Sequence, residues 1–362
     1  MDNGLVEVWL GGSLVGRIAL TPDGLCAFEY DAKFLEKGFS ISPYVLPLEK
    51  KVYVAERDPF DGNFGVFDDS LPDGWGSLLL DRFLKEQGKD LSKLTILDRL
   101  SLIGSNGRGA LEYRPDNSFI ADSHFKDFDK ISSECKKILE EKKIDANSLE
   151  ELYKNGGSSG GARPKVFAKI DDKEWLVKFR SSFDPKDIGE IEYKYSLLAK
   201  KCQIEMPETR LINGKYFAVE RFDRTPNGRV HTISASGLLN AYYRLPNLDY
   251  TDLLTVCKDL TKDQAQVVQL FRRMVFNVLI GNKDDHSKNF AFQYKNGEWK
   301  LSPAYDMLPS AGFNGMHTTS VNGKGNPDIG DIVEVAKQVS ISKKLAKNIY
   351  DEINAILSKN NK

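Results

Sequence analysis

The sequence predicts an α+β chain in which a β-rich half precedes a mainly helical half. Three observations carry this. Short alternating runs bounded by glycine and proline turns recur up to about residue 225. Two glycine-rich stretches, 104–109 and 156–161, interrupt them. From residue 235 onward the apolar residues fall mostly at helical spacing.

Each element has a local reason. Val6, Val8 and Leu10 alternate with Glu7 and Trp9, Gly11-Gly12 can turn tightly, and Leu14 to Leu20 returns as a second strand. Cys26 to Tyr30 reads as a third strand after the turn Pro22-Asp23-Gly24. Residues 43–70 are irregular, and Leu71 to Gly76 leads into a helix at about 77–87 with Leu78, Leu79, Phe83 and Leu84 on its apolar side. Residues 104–109 read as a plain turn, 126–142 as a charged amphipathic helix and 143–147 as a linker. A hairpin is expected from Lys165–Ile170 and Glu174–Phe179 across Asp171-Asp172-Lys173. A helix follows at 188–201, with Ile191, Tyr195, Leu198 and Ala199 on one face. Two strands flank Asn213-Gly214. The clearest helix spans 262–280: Thr261 and Gln264 have capping-box spacing, Val267, Leu270, Phe271, Met274 and Val278 form its stripe, and Gly281 ends it.

Composition narrows the function. The 362 residues fit two or three packed units, and 41% apolar residues suffice for sizeable cores. Basic and acidic residues balance, 51 against 52, so no general field draws the chain to nucleic acid and direct nucleic-acid binding is not expected. Cys26, Cys135, Cys202 and Cys257 lie far apart without a CxxC pair and read as scattered reduced thiols. MDNGLVEVWL lacks the basic and apolar segments of a signal peptide. No stretch approaches the roughly 18 apolar residues of a membrane span. A soluble, cytoplasmic protein is expected.

The chemistry concentrates after the 262–280 helix, in Gly281-Asn-Lys-Asp-Asp-His-Ser-Lys-Asn-Phe290. Asp284 and Asn289 have the spacing of a phosphotransferase catalytic loop, where the Asp accepts the substrate hydroxyl proton and the Asn holds Mg²⁺. Asn296-Gly297 signals a hairpin whose return strand ends at Tyr305-Asp306, bringing Asp306 back beside Asn289 as a second oxygen ligand. Any one of these acids would pass for a loop or capping residue; their combination points to phosphoryl transfer from ATP. His286 reads as a brace for the loop. His124, His231 and His317 are lone histidines without ligand spacing. Lys178, on a strand after a glycine loop, can neutralise nucleotide phosphates, with Glu192 on the next helix as its partner. The 156–161 loop is no Walker motif, but its backbone amides, including those of Gly160 and Gly161, can cradle phosphates. Ser158 and Ser159 would then lie near the γ-phosphate. A β-rich lobe followed by a helical lobe is also the order of a two-lobed protein-kinase-like fold.

Five stretches together resemble the HipA family of toxin kinases and, more distantly, the phosphatidylinositol 3/4-kinase catalytic core. They are Ser70 to Gly76, Gly161 to Lys165, Val219 to Arg224, Asp284 to Phe290 and Leu301 to Asp306, spread over nearly the whole chain in the family's order. The resemblance implies a β-rich N-terminal subdomain over 1–125 and a kinase core over 126–362, N-lobe-like to about 225. It implies that Glu220 to Phe222 form the hinge whose backbone meets adenine, with Asp223 nearby. Asp284 would be the catalytic base, and Asn289 and Asp306 the Mg²⁺ ligands. Ser158 matches the regulatory autophosphorylation position, with Ser159 its neighbouring rival. The family usually carries Gln where Arg163 stands. Relatives are toxins of bacterial toxin–antitoxin modules that phosphorylate aminoacyl-tRNA synthetases and are held by a DNA-binding antitoxin, so ATP, Mg²⁺, a protein substrate and such an antitoxin are the implied partners. A small-molecule phosphotransferase and a non-catalytic ATP-binding co-repressor subunit are the competing readings. The N-terminal β unit and the 301–306 motif argue against the first; Lys178, Asp284, Asn289 and Asp306 argue against the second.

Overall fold

Alternation in residues 5–30 becomes a meander. β1 (Leu5–Leu10), β2 (Ser13–Leu20) and β3 (Cys26–Tyr30) pair antiparallel, burying Val6, Val8, Val15, Ile18, Cys26 and Phe28 on one side. After α1 (Ala32–Lys37), β4 (Val52–Val54) joins the free side of β3. The stretch expected to be irregular also holds the short α2 (Gly65–Asp68). It leads into α3 (Gly74–Glu86), which starts earlier than the apolar spacing suggested, and α4 (Ile96–Ile103) follows under a Thr95/Asp98 capping box. β5 (Leu111–Arg114) closes the sheet against β1, in the order β4-β3-β2-β1-β5. The computed structural model describes residues 4–119, 127–312 and 314–360; His124 and the start of the helix expected from 126 lie outside them.

The charged helix is α5 (Phe128–Leu139). The expected linker instead contains the start of α6 (Ala146–Gly156), capped by Asp145, whose side chain accepts from Ser148 N. A second sheet, ordered β6-β7-β9-β8, is built from β6 (Lys165–Ile170), β7 (Lys173–Lys178), β8 (Thr209–Ile212) and β9 (Tyr216–Glu220). Asp171, Asp172, Asn213 and Gly214 take the positive φ that these tight turns require. Between β7 and β8 runs α7 (Ile188–Lys201). Its buried residues include Glu192, Ser196, Leu198 and Ala199, whereas Ile191 and Tyr195 are only partly covered, so the expected apolar face is displaced. Two short strands, β10 (Arg224–Thr225) and β11 (Gly228–Arg229), form a ribbon after β9.

The chain divides into two compact units, the first comprising 1–190 with 209–231 and the second 191–208 with 232–362. In the first, Trp75, Leu79, Phe83 and Leu84 of α3 share one core with Leu149, Leu152 and Tyr153 of α6 and with Val166, Trp175 and Val177 of the hairpin.

The second unit contains β12 (mainly Thr232–Ser234 of His231–Ser234), α8 (Ala235–Leu239), β13 (Leu248–Asp249), α9 (Tyr250–Thr261) and α10 (Gln264–Ile280). Asp263 caps α10 through Ala265 N, while Thr261 closes α9, so no capping box joins Thr261 to Gln264. Gly281 ends α10 in the left-handed region, as expected. The Asn296-Gly297 turn joins β14 (Ala291–Lys295) to β15 (Glu298–Leu301). β16 (Thr319–Ser320) pairs parallel with β13, and α11 (Ile329–Gln338) and α12 (Lys343–Asn360) complete the unit.

Candidate functional site

In the first unit the glycine loop is seated on the N-terminus of α3. Gly156 ends α6 and the chain turns at once through 157–161. Trp75 N donates to Gly161 O at 2.9 Å, Trp75 Nε1 donates to Lys165 O at 3.1 Å, and Asp73 accepts from Gly161 N. Gly74 and Gly76 permit this approach. A Cβ on Gly74 would lie 2.5 Å from Gly161 O, and one on Gly76 would overlap Ser159 O. The run Leu71 to Gly76 is thus a seat for the loop as well as a helix start. Ser158 and Ser159 are 8% and 1% exposed. Their hydroxyls donate to Asn106 O at 2.8 Å and to Gly156 O at 2.5 Å. Gly160 lies against the Arg108 guanidinium.

Below the loop the hairpin register sets Lys165 directly opposite Lys178, on one face of the pair. Both are buried; Lys165 Nζ donates to Gly160 O at 2.5 Å, and Lys178 Nζ lies 5.6 Å from the centre of the Phe217 ring. Like charges at directly opposite positions of a strand pair repel unless partners offset them. Arg163 reaches the Asp184 carboxylate through Nε and Nη2 at 3.0–3.1 Å and so ties residues 181–184 to the loop's exit.

Glu220 ends β9, its carboxylate 2.7 Å from Lys173 Nζ, and Arg221 N extends the ladder by donating to Glu174 O. Phe222 is half-buried. Asp223 is the centre of a buried charge cluster: it accepts from Arg221 Nε and Nη2, from Arg224 Nη1 and from Gly109 N, at 2.8–3.0 Å. Burial alone would raise its pKa, but the Arg221 and Arg224 guanidiniums prevail and hold it well below the ordinary carboxylate range. Burial pushes Arg224 down to about 9, leaving it charged at neutral pH. Arg224 and Arg229 each donate to Gly107 O at 2.8 Å. Residues 104–109 are therefore a hub receiving both the glycine loop and the arginine cluster, not the plain turn expected.

In the second unit, Asp284 is exposed while its neighbour Asp285 is fully buried. Asn289 Nδ2 donates to Asp284 O at 2.7 Å, so Oδ1 is the side-chain atom able to meet a cation. His286 braces the loop through its carbonyl, which accepts from Asn289 N at 2.8 Å, while its ring packs edge-on against Tyr243. Tyr305 OH donates to Lys288 O at 2.8 Å, and Asn282 Nδ2 donates to Asp306 O at 3.1 Å. These two bonds bring the segment after β15 back to the 281–290 loop. Asp306 holds a left-handed φ of 52°, a conformation that costs about 1 kcal/mol for a non-glycine residue. Arg273, buried in α10, supports the approach by donating to Ser302 O at 2.6 Å. Burial lowers its pKa to about 10, so it too stays charged. Glu192 is buried in this second unit and Lys178 belongs to the first.

Sequence reasoning missed Lys165 as a member of the lysine pair, and Asp285, His317, Tyr250 and Asn282 as supports of the loop. The hairpin register could have revealed Lys165. Nothing local marks His317, whose partner lies 32 residues away.

The chain matches the HipA N-terminal domain over residues 6–114 and the HipA-like C-terminal domain over residues 157–360. It belongs to the HipA family. The HipA-type fold is also seen in the toxin–antitoxin protein HipA of Shewanella oneidensis, solved with HipB and its operator DNA. That structure covers 98% of this chain and 90% of its own, with a TM-score of 0.70 at 19% identity. Among curated relatives, Y4dM of Sinorhizobium fredii, provisionally designated a kinase, is 28% identical over 47% of this chain and 45% of its own length. Toxin YjjJ of Escherichia coli is 27% identical over 42% of this chain and 38% of its own. The chain thus spans less than half the length of these two relatives.

Proposed function

We propose that this chain is an ATP-dependent serine/threonine protein kinase acting as the toxin of a bacterial toxin–antitoxin module. The observation that carries this reading is the exposed Asp284 on an otherwise tied loop, with the Asn289 amide clamped to its carbonyl. Asp284 takes the proton of the attacking hydroxyl. Asn289 Oδ1 and the Asp306 carboxylate are oxygen donors of the kind that would hold Mg²⁺, which would supply neutralisation of the phosphate charge. Lys178 and Lys165 meet the nucleotide phosphates, the amides of Gly160 and Gly161 assist them, and the backbone of Glu220 to Phe222 meets the adenine. Asp223 and its arginines hold the strand end that carries that hinge.

A translation component such as an aminoacyl-tRNA synthetase is the proposed substrate, and a DNA-binding antitoxin the proposed partner. With acidic and basic residues in balance, operator contact would fall to that partner. Ser158 is the proposed autophosphorylation site. Its hydroxyl is engaged at Asn106 O and nearly covered, so a group of roughly −1.5 to −2 charges cannot be added without lifting the loop from its seat. The kinase becomes inactive once the loop is displaced.

The test is incubation with labelled ATP, Mg²⁺ and cell lysate, followed by identification of labelled proteins and mapping of phosphate on the chain. Label on a synthetase and on Ser158, both absent with Asp284→Asn, is the expected result. Label only on small molecules, or none, rejects the reading. Phosphate at Ser159 alone rejects the Ser158 assignment.

A further inference from the structure

We infer that Asp285 and His317 are a positioning pair that clasps the segment following Asp306 onto the loop carrying Asp284 and so sets Asp284 for transfer. This rests on the kinase reading above. Asp285 is 0% exposed, and a carboxylate there requires partners for its charge. Its four acceptor positions are filled instead. Oδ1 accepts from Thr318 N at 2.9 Å and Thr319 N at 3.3 Å. Oδ2 accepts from Tyr250 OH at 2.9 Å and lies 2.9 Å from His317 Nδ1. Its backbone carbonyl accepts from Thr319 Oγ1 at 2.5 Å. One buried side chain therefore gathers residues 317–319 beneath the peptide that joins it to Asp284.

The network continues beyond Asp285. Asn277 Nδ2 donates to Tyr250 OH at 3.0 Å, and Asn282 Nδ2 donates both to Asn277 Oδ1 at 3.0 Å and to Asp306 O at 3.1 Å. Asp285 stands at one end of this chain of bonds and the Asp306 backbone at the other. A separate tie runs alongside it: Lys283 N donates to Ser310 O at 3.1 Å, and Thr318 donates to Lys283 O through its N–H at 3.2 Å and its hydroxyl at 3.0 Å. Removing the His317 link leaves part of a buried carboxylate unsatisfied and frees the loop on which Asp284 sits. A displacement of about 1 Å in such a group costs on the order of 10² in rate.

The experiment compares the full-length wild type with His317→Phe, His317→Asn and Asp285→Asn. It measures phosphoryl transfer and hydrogen exchange in 282–290 and 317–320. With His317→Phe, kcat should fall about 10²-fold while KM for ATP stays within about threefold, and both segments should exchange faster together. His317→Asn can place an amide N–H where Nδ1 stands and should restore most of the rate and the protection. Wild-type kcat in His317→Phe overturns the proposal, as does equal loss in both His317 variants with unchanged exchange. Should His317→Phe not fold, Asp285→Asn keeps the shape and removes the charge: kcat lowered more than about tenfold supports the pair, and unchanged kcat rejects it. A wild type that transfers no phosphate rejects the kinase reading instead. Exchange then still reports on the clasp, since coupled loss of protection in the two segments upholds it and uncoupled loss overturns it.

Discussion

The loop at 156–161 and the loop at 281–290 are both held firmly, but by opposite means. The first is seated by backbone contact: Gly74 and Gly76 remove side-chain bulk so that the carbonyls of Gly161 and Ser159 can come down on α3. The second is suspended from a buried polar network centred on Asp285. A loop seated by close backbone approach carries no charged side chain of its own to strand, and its departure uncovers only the Lys165 ammonium and the Asp73 carboxylate that meet its backbone. A loop hung from a buried carboxylate cannot leave without stranding that charge. The first arrangement suits a part that moves, the second a part that must stay.

The comparison breaks most sharply at the exposed acid. Asp284→Asn is expected to lower phosphoryl transfer about 10²–10⁴-fold, as loss of a general base does. Its unfolding midpoint in urea should not move, because the carboxylate is exposed. Its buried neighbour should behave in the opposite way. Asp285→Ala leaves Tyr250, His317 and two amides without their acceptor, and should cost about 3–5 kcal/mol of unfolding free energy by chemical denaturation.

The two buried histidines extend the contrast. His317 faces a carboxylate, whereas His231 meets the neutral Ile41 carbonyl, at 2.8 Å, and burial lowers its pKa to about 4. The native state then stays neutral at His231 while the unfolded chain takes up a proton as pH falls below about 6.5. Stability should therefore decline between about pH 6.5 and 4, by about 3 kcal/mol in all. His231→Gln, which keeps a donor to Ile41, should flatten that decline in urea melts recorded across the window. The smallest effect is expected at the glycine seat. Gly76→Ala forces the loop backbone away from α3 and should cost about 1–3 kcal/mol. Limited proteolysis should then cut faster within 157–163, while hydrogen exchange in 281–290 stays unchanged.

Much of the site was legible because its signals are local. The Asn296-Gly297 turn and the Gly281 stop each depend on neighbours a few residues away, and the structure forms both as expected. The α6 helix escaped notice because its first residues, Ala146-Asn147-Ser148, carry little apolar periodicity. The Thr261/Gln264 capping pattern misled because Asp263, nearer the first turn, supplies the oxygen instead.

Chain order, strand alternation and turn chemistry settle where elements begin and which acids stand on loops, since those depend on φ preferences and on the periods of 2 and 3.6 residues. They also place Lys178 on a strand and the glycines before it. Long-range packing settles what each loop rests on. Trp75 Nε1 finds Lys165 O across 90 positions, Gly109 N finds Asp223 across 114, and Asp285 finds His317 across 32. A buried donor or acceptor requires a partner but carries no mark of which distant residue will supply it. The exposed Asp284 could be read from its spacing; the buried Asp285 beside it became intelligible only with the groups folded around it.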